Sequence, residues 1–509
     1  MSLFTQPGHA SAADLLLDDP RVAGAVSIES ATTTGGAGRR HSVRVLPEAR
    51  WLEAQTRHAA AAASRSLLGW HNTYELDRTV DAGIIPDRRV PDGVEAVTGS
   101  LLALPHERVR ETGCGDGLLL RELAPHCRSY AASDVSAVSL ARLRAWLEAR
   151  PSLDHVQVLR QAAHETGGTG KASLDLVVID ASAQPFPDVD YLVRVLDANW
   201  SQVAPGGHLF LRNVRLLGLQ TTGIAAAALA YAPDDMTVAA LRQSIHAGWL
   251  AQSELALDPA LFHRYAGSRG ATVSVRLRRG WSVSDPMRTS FDVLLGKAAA
   301  GQAGPPPPAL LDTVPALRRW LAGPDQGSAL LRAQPDARLA GDVATYRLLS
   351  TAADSMRAVE VRRLVALRMT AGWPEFHPLP RPALPEARGI DPDAIAALCA
   401  ASGCGAVILA TPHARDGRFD VLVERAGSAG PPRGMQPGLA DGPLDDPAMA
   451  NHPLLLQSLR KLSQSLHNEL ARLLPEADMP ARILPVTRRD QLVLGAPDYD
   501  GSWTLTGRL

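Results

Sequence analysis

Apolar runs and their spacing divide the chain before any chemistry is considered. "LLLDDPRVAGAVSI" (15–28) predicts a short helix, a turn and a strand, and "HSVRVLP" (41–47) a second strand stopped by proline. Residues 51 to 76 carry a helical pattern with an Ala/Arg stretch. From 94 to 298 short apolar strands alternate with amphipathic helices. The strands are "RVRETG", "SYAASD", "HVQVLRQ", "LDLVVIDAS", "GGHLFLRNV", "ATVSVRLRR" and "SFDVLLG". Such alternation predicts a doubly wound α/β sheet. "GKAAAGQAGPPPP" (296–308) is a linker. Residues 314 to 375 read as mainly helical. "GIDPDAIAALCAASGCGAVILAT" reads as cap, helix, glycine stop and strand, and "RFDVLVERAG" as a further strand. "SAGPPRGMQPGLADGPLDDP" is loop, and "LLLQSLRKLSQSLHNELARLLP" is a strong amphipathic helix. The run "GIAAAALAYA" (223–232) is too short to cross a bilayer and reads as a buried helix.

Composition narrows the class. The 509 residues leave room for several domains with large cores. With 46% apolar residues and net charge -1, neither a nucleic-acid surface nor a polybasic membrane surface is expected. Basic residues are almost all Arg; Lys occurs only at 171, 297 and 461. Cys114, Cys127, Cys399 and Cys404 show neither paired zinc spacing nor a disulfide framework, so reduced thiols and no metal are expected. The N-terminus has no basic stretch followed by an apolar run, which predicts a cytoplasmic protein without a signal peptide.

The stretch "VRETGCGDGLLLRELAP" (109–125) carries the clearest chemistry. A strand ends, Gly113, Cys114, Gly115, Asp116 and Gly117 make a bare turn, and a helix opens at Leu118. Glycines permit positive φ and let backbone approach a ligand; the helix start offers free N–H groups. GxGxG is tighter than the dinucleotide GxGxxG, and no Lys follows, which excludes a phosphate-cradling P-loop. On the next strand, Asp134 is placed to accept hydrogen bonds from two ribose hydroxyls. Together these residues point to an adenosine-bearing ligand.

At this level the chain resembles the S-adenosylmethionine (SAM) methyltransferase domains inserted into adenylation domains of nonribosomal peptide synthetases. "GWHNTY" (69–74) resembles that family's GWNSSY, and "RVRETGCGDGLLLRELAPHC" its VLEIGCGTGLLL–RLAP segment. "LDLVVIDASAQPFPDVDYLVRVL" resembles its FDTVVLNSVVQYFPSVDYLLRVL, and "VAPGGHLFLRNVR", "ELALDPALF" and "RLRRG" follow in order. The flanks "LLLDDPRVAGAVSI…HSVRVLP" and "LHNELARLLPEADMPARILPVT" resemble the start and end of an adenylation domain's small C-terminal subdomain. The resemblance implies a class I methyltransferase-like, Rossmann-like doubly wound sheet, an additional α+β region, and an adenylation remnant. It divides the chain into remnant (1–50), SAM-binding domain (51–298), accessory α/β region (299–450) and remnant (451–509). It places SAM against Glu111, Gly113, Cys114, Gly115, Gly117, Asp134, Ala163, His164 and Asp180. Ala163-His164 stands where the family reads Ala-Asp beside adenine, and Glu165 is the alternative partner.

The departures concern the second reactant. Gln491 stands where an adenylating enzyme has its catalytic Lys, so adenylation is not expected. The family's GDVR is "RNVR" with Asn213, its Phe-His pair is Gly223-Ile224, its Asn-Glu-Leu is Ser284-Asp285-Pro286, and its QYFP carries Pro185. These losses remove groups suited to deprotonating and aiming an acceptor amine. Asp180 replaces an Asn at a strand end that would face the methionine amine; it is either a catalytic carboxylate there or a cap of the next turn. Three functions remain open. In the first, SAM is itself the substrate and cyclises to azetidine-2-carboxylic acid, as pathways to azetidine-containing peptides such as vioprolide require. Asp180 then handles the amine, and Trp70, Tyr74 and Phe186 shield the sulfonium by cation–π attraction. In the second, the chain methylates a carrier-protein-bound aminoacyl group in trans. In the third, it is a non-catalytic synthetase partner.

Overall fold

A computed structural model describes residues 11–30, 40–52, 54–55, 97–168, 170–180, 186–278, 289–298, 308–323, 327–370, 389–410, 416–425, 442–444 and 446–486. The chain opens with α1 (Ala12–Leu17), held by a capping box in which Ser11 and Asp14 bond each other's backbone N–H. Strands β1 (Val22–Ser30) and β2 (Arg40–Pro47) follow as an antiparallel pair.

The central part alternates as its pattern predicts: β3 (Arg108–Thr112), α2 (Leu118–Leu123), β4 (Ser129–Asp134), α3 (Ala137–Glu148), β5 (Val156–Arg160), β6 (Leu174–Asp180), α4 (Val189–Trp200) and β7 (Val203–Leu216). Helices α5 (Gln220–Tyr231) and α6 (Val238–Leu250) come next, then the short β8 (Ala256–Leu257), α7 (Pro259–Gly267), β9 (Thr272–Leu277) and β10 (Ser290–Gly296). The accessory region holds β11 (Ala309–Leu311), α8 (Val314–Ala322), β12 (Ser328–Pro335), α9 (Ala340–Thr351), α10 (Ala358–Thr370), α11 (Pro392–Ala401), β13 (Cys404–Leu409) and β14 (Arg418–Arg425). The long α12 (Pro453–Leu473) and β15 (Arg482–Pro485) complete the described chain.

One sheet runs through most of the molecule in the order β11-β12-β14-β13-β9-β10-β7-β6-β3-β4-β5, with β8 beside β7. Strands β5, β4, β3, β6 and β7 are parallel, while β10 is antiparallel to β7 and β9 to β10. The chain leaves β3 toward β4 and β5, then returns to the other side of β3 with β6. That reversal opens a crevice at the carboxyl ends of β3 and β6, where ligands bind in open α/β sheets. Val177, Ile179, Leu209 and Leu211 pack one face of this sheet and Leu176, Val178 and Phe210 the other, so both faces are buried. Near-continuous apolar strands are what two covered faces require.

One reading changes. Residues 328–335 are not helical but form β12, flanked by helices α8 and α9. The accessory region joins the central sheet: β13 pairs with β9, and β14, β12 and β11 extend it. A separate three-stranded sheet, β1-β2-β15, joins the two ends of the chain. Leu462, Leu466 and Leu470 of α12 pack with Leu16, Val43, Val45 and Ile483 to give it a core. The amphipathic period of "LLLQSLRKLSQSLHNEL" supplies that stripe.

Candidate functional site

The glycine turn has the geometry its sequence demands. Gly113, Gly115 and Gly117 take φ of 77°, 50° and 80°, the left-handed region that favours glycine. The N–H groups of Gly113 and Cys114 both donate to the Ser133 carbonyl, at 2.8 and 3.1 Å, which pins the turn to the end of β4. A Cβ on Gly117 would stand 2.6 Å from Leu143 Cδ1, whereas a Cβ on Gly115 meets nothing within 4 Å. Gly117 is therefore a packing position and Gly115 borders open space. Cys114 is buried, and that burial raises its thiol pKa well above the usual range.

Asp134 ends β4 beside the turn. Its Oδ2 accepts from the Gly115 N–H at 2.9 Å and its Oδ1 from the Ser136 N–H at 2.8 Å. One carboxylate thus orders the glycine turn and the start of α3. Glu111 lies within β3, fully buried, with Oε2 accepting from the Tyr130 hydroxyl at 2.7 Å. Its Oε1 is a buried acceptor with no partner among the described residues. Burial, reinforced by the negative charge of Asp180, pushes the Glu111 carboxyl up to about 8. A buried acceptor without a partner is a place where a ligand donor could complete the hydrogen bonding.

Just past β5, Ala163 is buried and its carbonyl accepts from Asn199 Nδ2 at 2.9 Å. His164 is half-buried, with Nδ1 3.1 Å from the Tyr191 hydroxyl, and burial lowers its pKa. Glu165 Oε2 accepts from the Ala162 N–H at 2.8 Å. That bond closes the turn from Ala162 to Glu165.

Asp180 ends β6, and the turn that follows it (181–185) lies outside the described residues. Asp180 forms an ion pair with Arg212, whose Nη1 lies 3.0 and 2.8 Å from the two carboxylate oxygens; both side chains are largely buried. Asp180, at the carboxyl end of β6, is the register partner of Arg212 within β7. The next residue, Asn213, sits at φ 63° in a bulge; its N–H donates to Asp292 at 2.8 Å and its Oδ1 accepts from Arg278 at 3.2 Å. Arg212 is the functional-site residue that sequence reading missed. Its signal is not local: it stands out only once β6 and β7 are known to be neighbours.

Phe186 corrects an expectation. It is fully buried and packs edge-on against Tyr191, with ring centroids 4.9 Å apart. That is a core position, not the open aromatic face required of a sulfonium shield. Trp70, Tyr74, Pro185 and Gln491 lie outside the described residues. The described residues bring Glu111, Gly113, Gly115, Gly117, Asp134 and the Asp180–Arg212 pair to one edge of the sheet. No group of three or more His, Cys, Asp or Glu among the described residues could hold a metal ion. No helix among them is long and apolar enough to cross a membrane.

Residues 111–211, which span the glycine turn, Asp134 and Asp180, match the family model of a methyltransferase domain. This part of the chain is a methyltransferase domain. Its strand order, with the returning β10 wedged between β7 and β9, is the class I methyltransferase-like arrangement. The chain is also 29% identical over 467 residues to chondramide synthase of Chondromyces crocatus, covering 86% of this chain and 11% of that protein. A non-canonical nonribosomal peptide synthetase of Salinispora arenicola matches at 29% over 432 residues, covering 84% of this chain and 5% of that protein. The chain therefore spans about a tenth or less of the length of these relatives. Among solved structures it is similar to magnesium protoporphyrin IX methyltransferase of Synechocystis with bound SAH. The identity is 15%, the coverage 45% of this chain and 97% of that one, and the TM-score 0.33.

Proposed function

We propose that the chain is a SAM-dependent enzyme of nonribosomal peptide biosynthesis in which SAM itself is the substrate. The observation that carries this reading is the ion pair between Asp180 at the end of β6 and Arg212 of β7. A second reactant would approach the methyl group on this side of the crevice. A guanidinium locked to a carboxylate there fills space and offers no neutral base to an incoming amine. The residues fit SAM. Gly115 borders open space, the Asp134 carboxylate stands where a ribose would lie, and the Glu111 acceptor lacking a partner suits a donor on the methionine arm.

In this reading the α-amine attacks its own γ-carbon. The Cγ–S bond breaks, its electron pair goes to sulfur, and methylthioadenosine leaves; the amine proton passes to solvent water. The remaining product is azetidine-2-carboxylic acid. Asp180, held in place by Arg212, orients the amine through a hydrogen bond and serves as an anchor more than a strong base. Trp70 and Tyr74 are the proposed aromatic faces for the sulfonium. The flanking β1-β2-β15 unit is the remnant of an adenylation subdomain, without adenylation activity, and offers a surface for docking to a synthetase.

A second reading is methyl transfer in trans to a carrier-bound aminoacyl group. Its support is similarity to peptide synthetases along more than four-fifths of the chain. Incubation of the purified protein with SAM alone, followed by mass spectrometry, separates the two. Methylthioadenosine with an azetidine amino acid supports cyclisation. S-adenosylhomocysteine formed only with a loaded carrier protein supports transfer. SAM unchanged under both conditions overturns both.

A further inference from the structure

The sheet order is a palindrome about the β9–β13 contact. Outward on one side lie β10, β7 and β6; on the other lie β14, β12 and β11. The strand directions repeat as well. β6 is parallel to β7 as β11 is to β12, and β7 is antiparallel to β10 as β12 is to β14. Register fixes the equivalences. Asp292 faces Arg276 as Asp420 faces Leu409, and Val293 faces Leu211 as Val421 faces Leu331.

Local details recur at equivalent places. Asn213 and Ala333 both take positive φ, at 63° and 53°, and their N–H groups donate to Asp292 and Asp420 at 2.8 and 2.6 Å. Asp258 and Asp391 each N-cap the helix that begins with the following proline, and Gly270 and Gly403 each turn the chain into the next strand. The Asp180–Arg212 pair reappears as Asp312–Arg332 at 2.8 Å. The sequence shows the same echo: "APDDMTVAALRQSI" (232–245) beside "AADSMRAVEVRRLV" (352–365), and "FDVLL" beside "FDVLV".

The two sets meet through reciprocal contacts. Arg242 bonds the carbonyls of Leu349 and Ala352 and the carboxylate of Asp354. Arg362 bonds the carbonyls of Leu229 and Ala232 and the carboxylate of Asp234. The Val238 N–H donates to Met356 O and the Ala358 N–H to Met236 O, both at 2.8 Å. Thr237 bridges Arg357, and Arg276 pairs with Leu409, each joining equivalent residues, so both lie on the axis. An arrangement in which i contacts j and j contacts i is that of an isologous twofold dimer.

We propose that residues 309–425 are a second copy of the half-domain 174–296, without the glycine turn, and act as its built-in dimer partner. The copy covers the β9 edge and the α5–α6 face, which would otherwise expose unpaired backbone and apolar surface. That face is complementary to itself, so a chain whose second copy is repelled should pair with another chain through the same surface.

The full-length protein tests this. Arg362→Asp with Asp354→Arg changes only the second copy and sets like charges against Asp234 and Arg242. The expected result is a native mass that rises with concentration toward twice the wild-type value. With Thr237→Cys added, a 237–237 disulfide should link chains in this variant and not in an otherwise wild-type chain. Adding Arg242→Asp and Asp234→Arg restores opposite charges within the chain and should return the mass to wild type. The milder pair Arg362→Gln with Asp354→Asn serves if circular dichroism shows the first variant unfolded. A folded variant that keeps the wild-type mass at every concentration overturns the proposal. So does association without the 237–237 link, or failure of the fourfold swap to reverse it.

Discussion

Gly115 and Gly117 share a left-handed backbone but differ in what stands beside them. Gly117→Ala adds a methyl 2.6 Å from Leu143 Cδ1 at φ 80° and should cost about 1–3 kcal/mol, seen as a lowered melting temperature. Gly115→Ala meets open space. Calorimetry should show its main loss in SAM affinity, because the methyl enters room left for the ligand. Glu111 gives a prediction with a sign. Its carboxyl is raised to about 8 in the fold and returns near 4.5 when unfolded. Relative stability from this group is therefore full below about 4.5 and lost as pH rises through about 8. Glu111→Gln removes that dependence, so the variant should gain on wild type across this window in melting scans. An unchanged difference between pH 5 and 9 would contradict the burial argument.

Between β6 and β7 a pair matters more than either residue. Asp180→Asn strands the Arg212 guanidinium in a largely buried place and should cost about 3 kcal/mol. Arg212→Gln in the same chain should recover much of the loss, whereas two unrelated substitutions would simply add. The Asp312–Arg332 pair repeats this arrangement where no glycine turn exists. Joining adjacent parallel strands is thus one task of the pair, beside the work on substrate proposed for Asp180. How much of this was legible follows from range. The alternation of apolar strands and helices, the bare turn and Asp134 are local signals, and they located the sheet and the cofactor side of the site. Arg212 required knowing which strands are neighbours. Strand β12 was missed because its "SALLRAQP" has little alternation and lies between helices, so only pairing with β14 makes it a strand. Phe186 was misjudged because an aromatic beside a strand end looks the same whether it faces a ligand or, as here, Tyr191 in the core.

At the scale of the molecule, the two ends of the chain close on the methyltransferase domain through α6. His246 of that helix is fully buried, with Nε2 2.9 Å from the Pro485 carbonyl of β15, and Gln243 accepts from Ser42 of β2 at 2.9 Å. Burial pulls the His246 pKa down to about 4 from its ordinary 6.5. A neutral ring donates to the carbonyl; a charged ring must be desolvated and also faces the Arg44 guanidinium. The sign follows. The stability carried by this contact is full above about 6.5 and is lost as pH falls through about 4. Over that window His246 alone steepens the pH dependence of unfolding by up to about 1.4 kcal/mol per pH unit. His263, also buried and also held near 4, adds a slope of its own, so the variant must be compared with wild type and not with a flat line. His246→Gln keeps a donor of similar reach and cannot take up a proton. Its melting temperature should fall less steeply than that of wild type between pH 6.5 and 4. Hydrogen exchange should show β15 and β2 losing protection in acidified wild type before the central strands β3 and β6. Equal slopes, or a central sheet that opens first, would mean that the joint between the two units is held elsewhere.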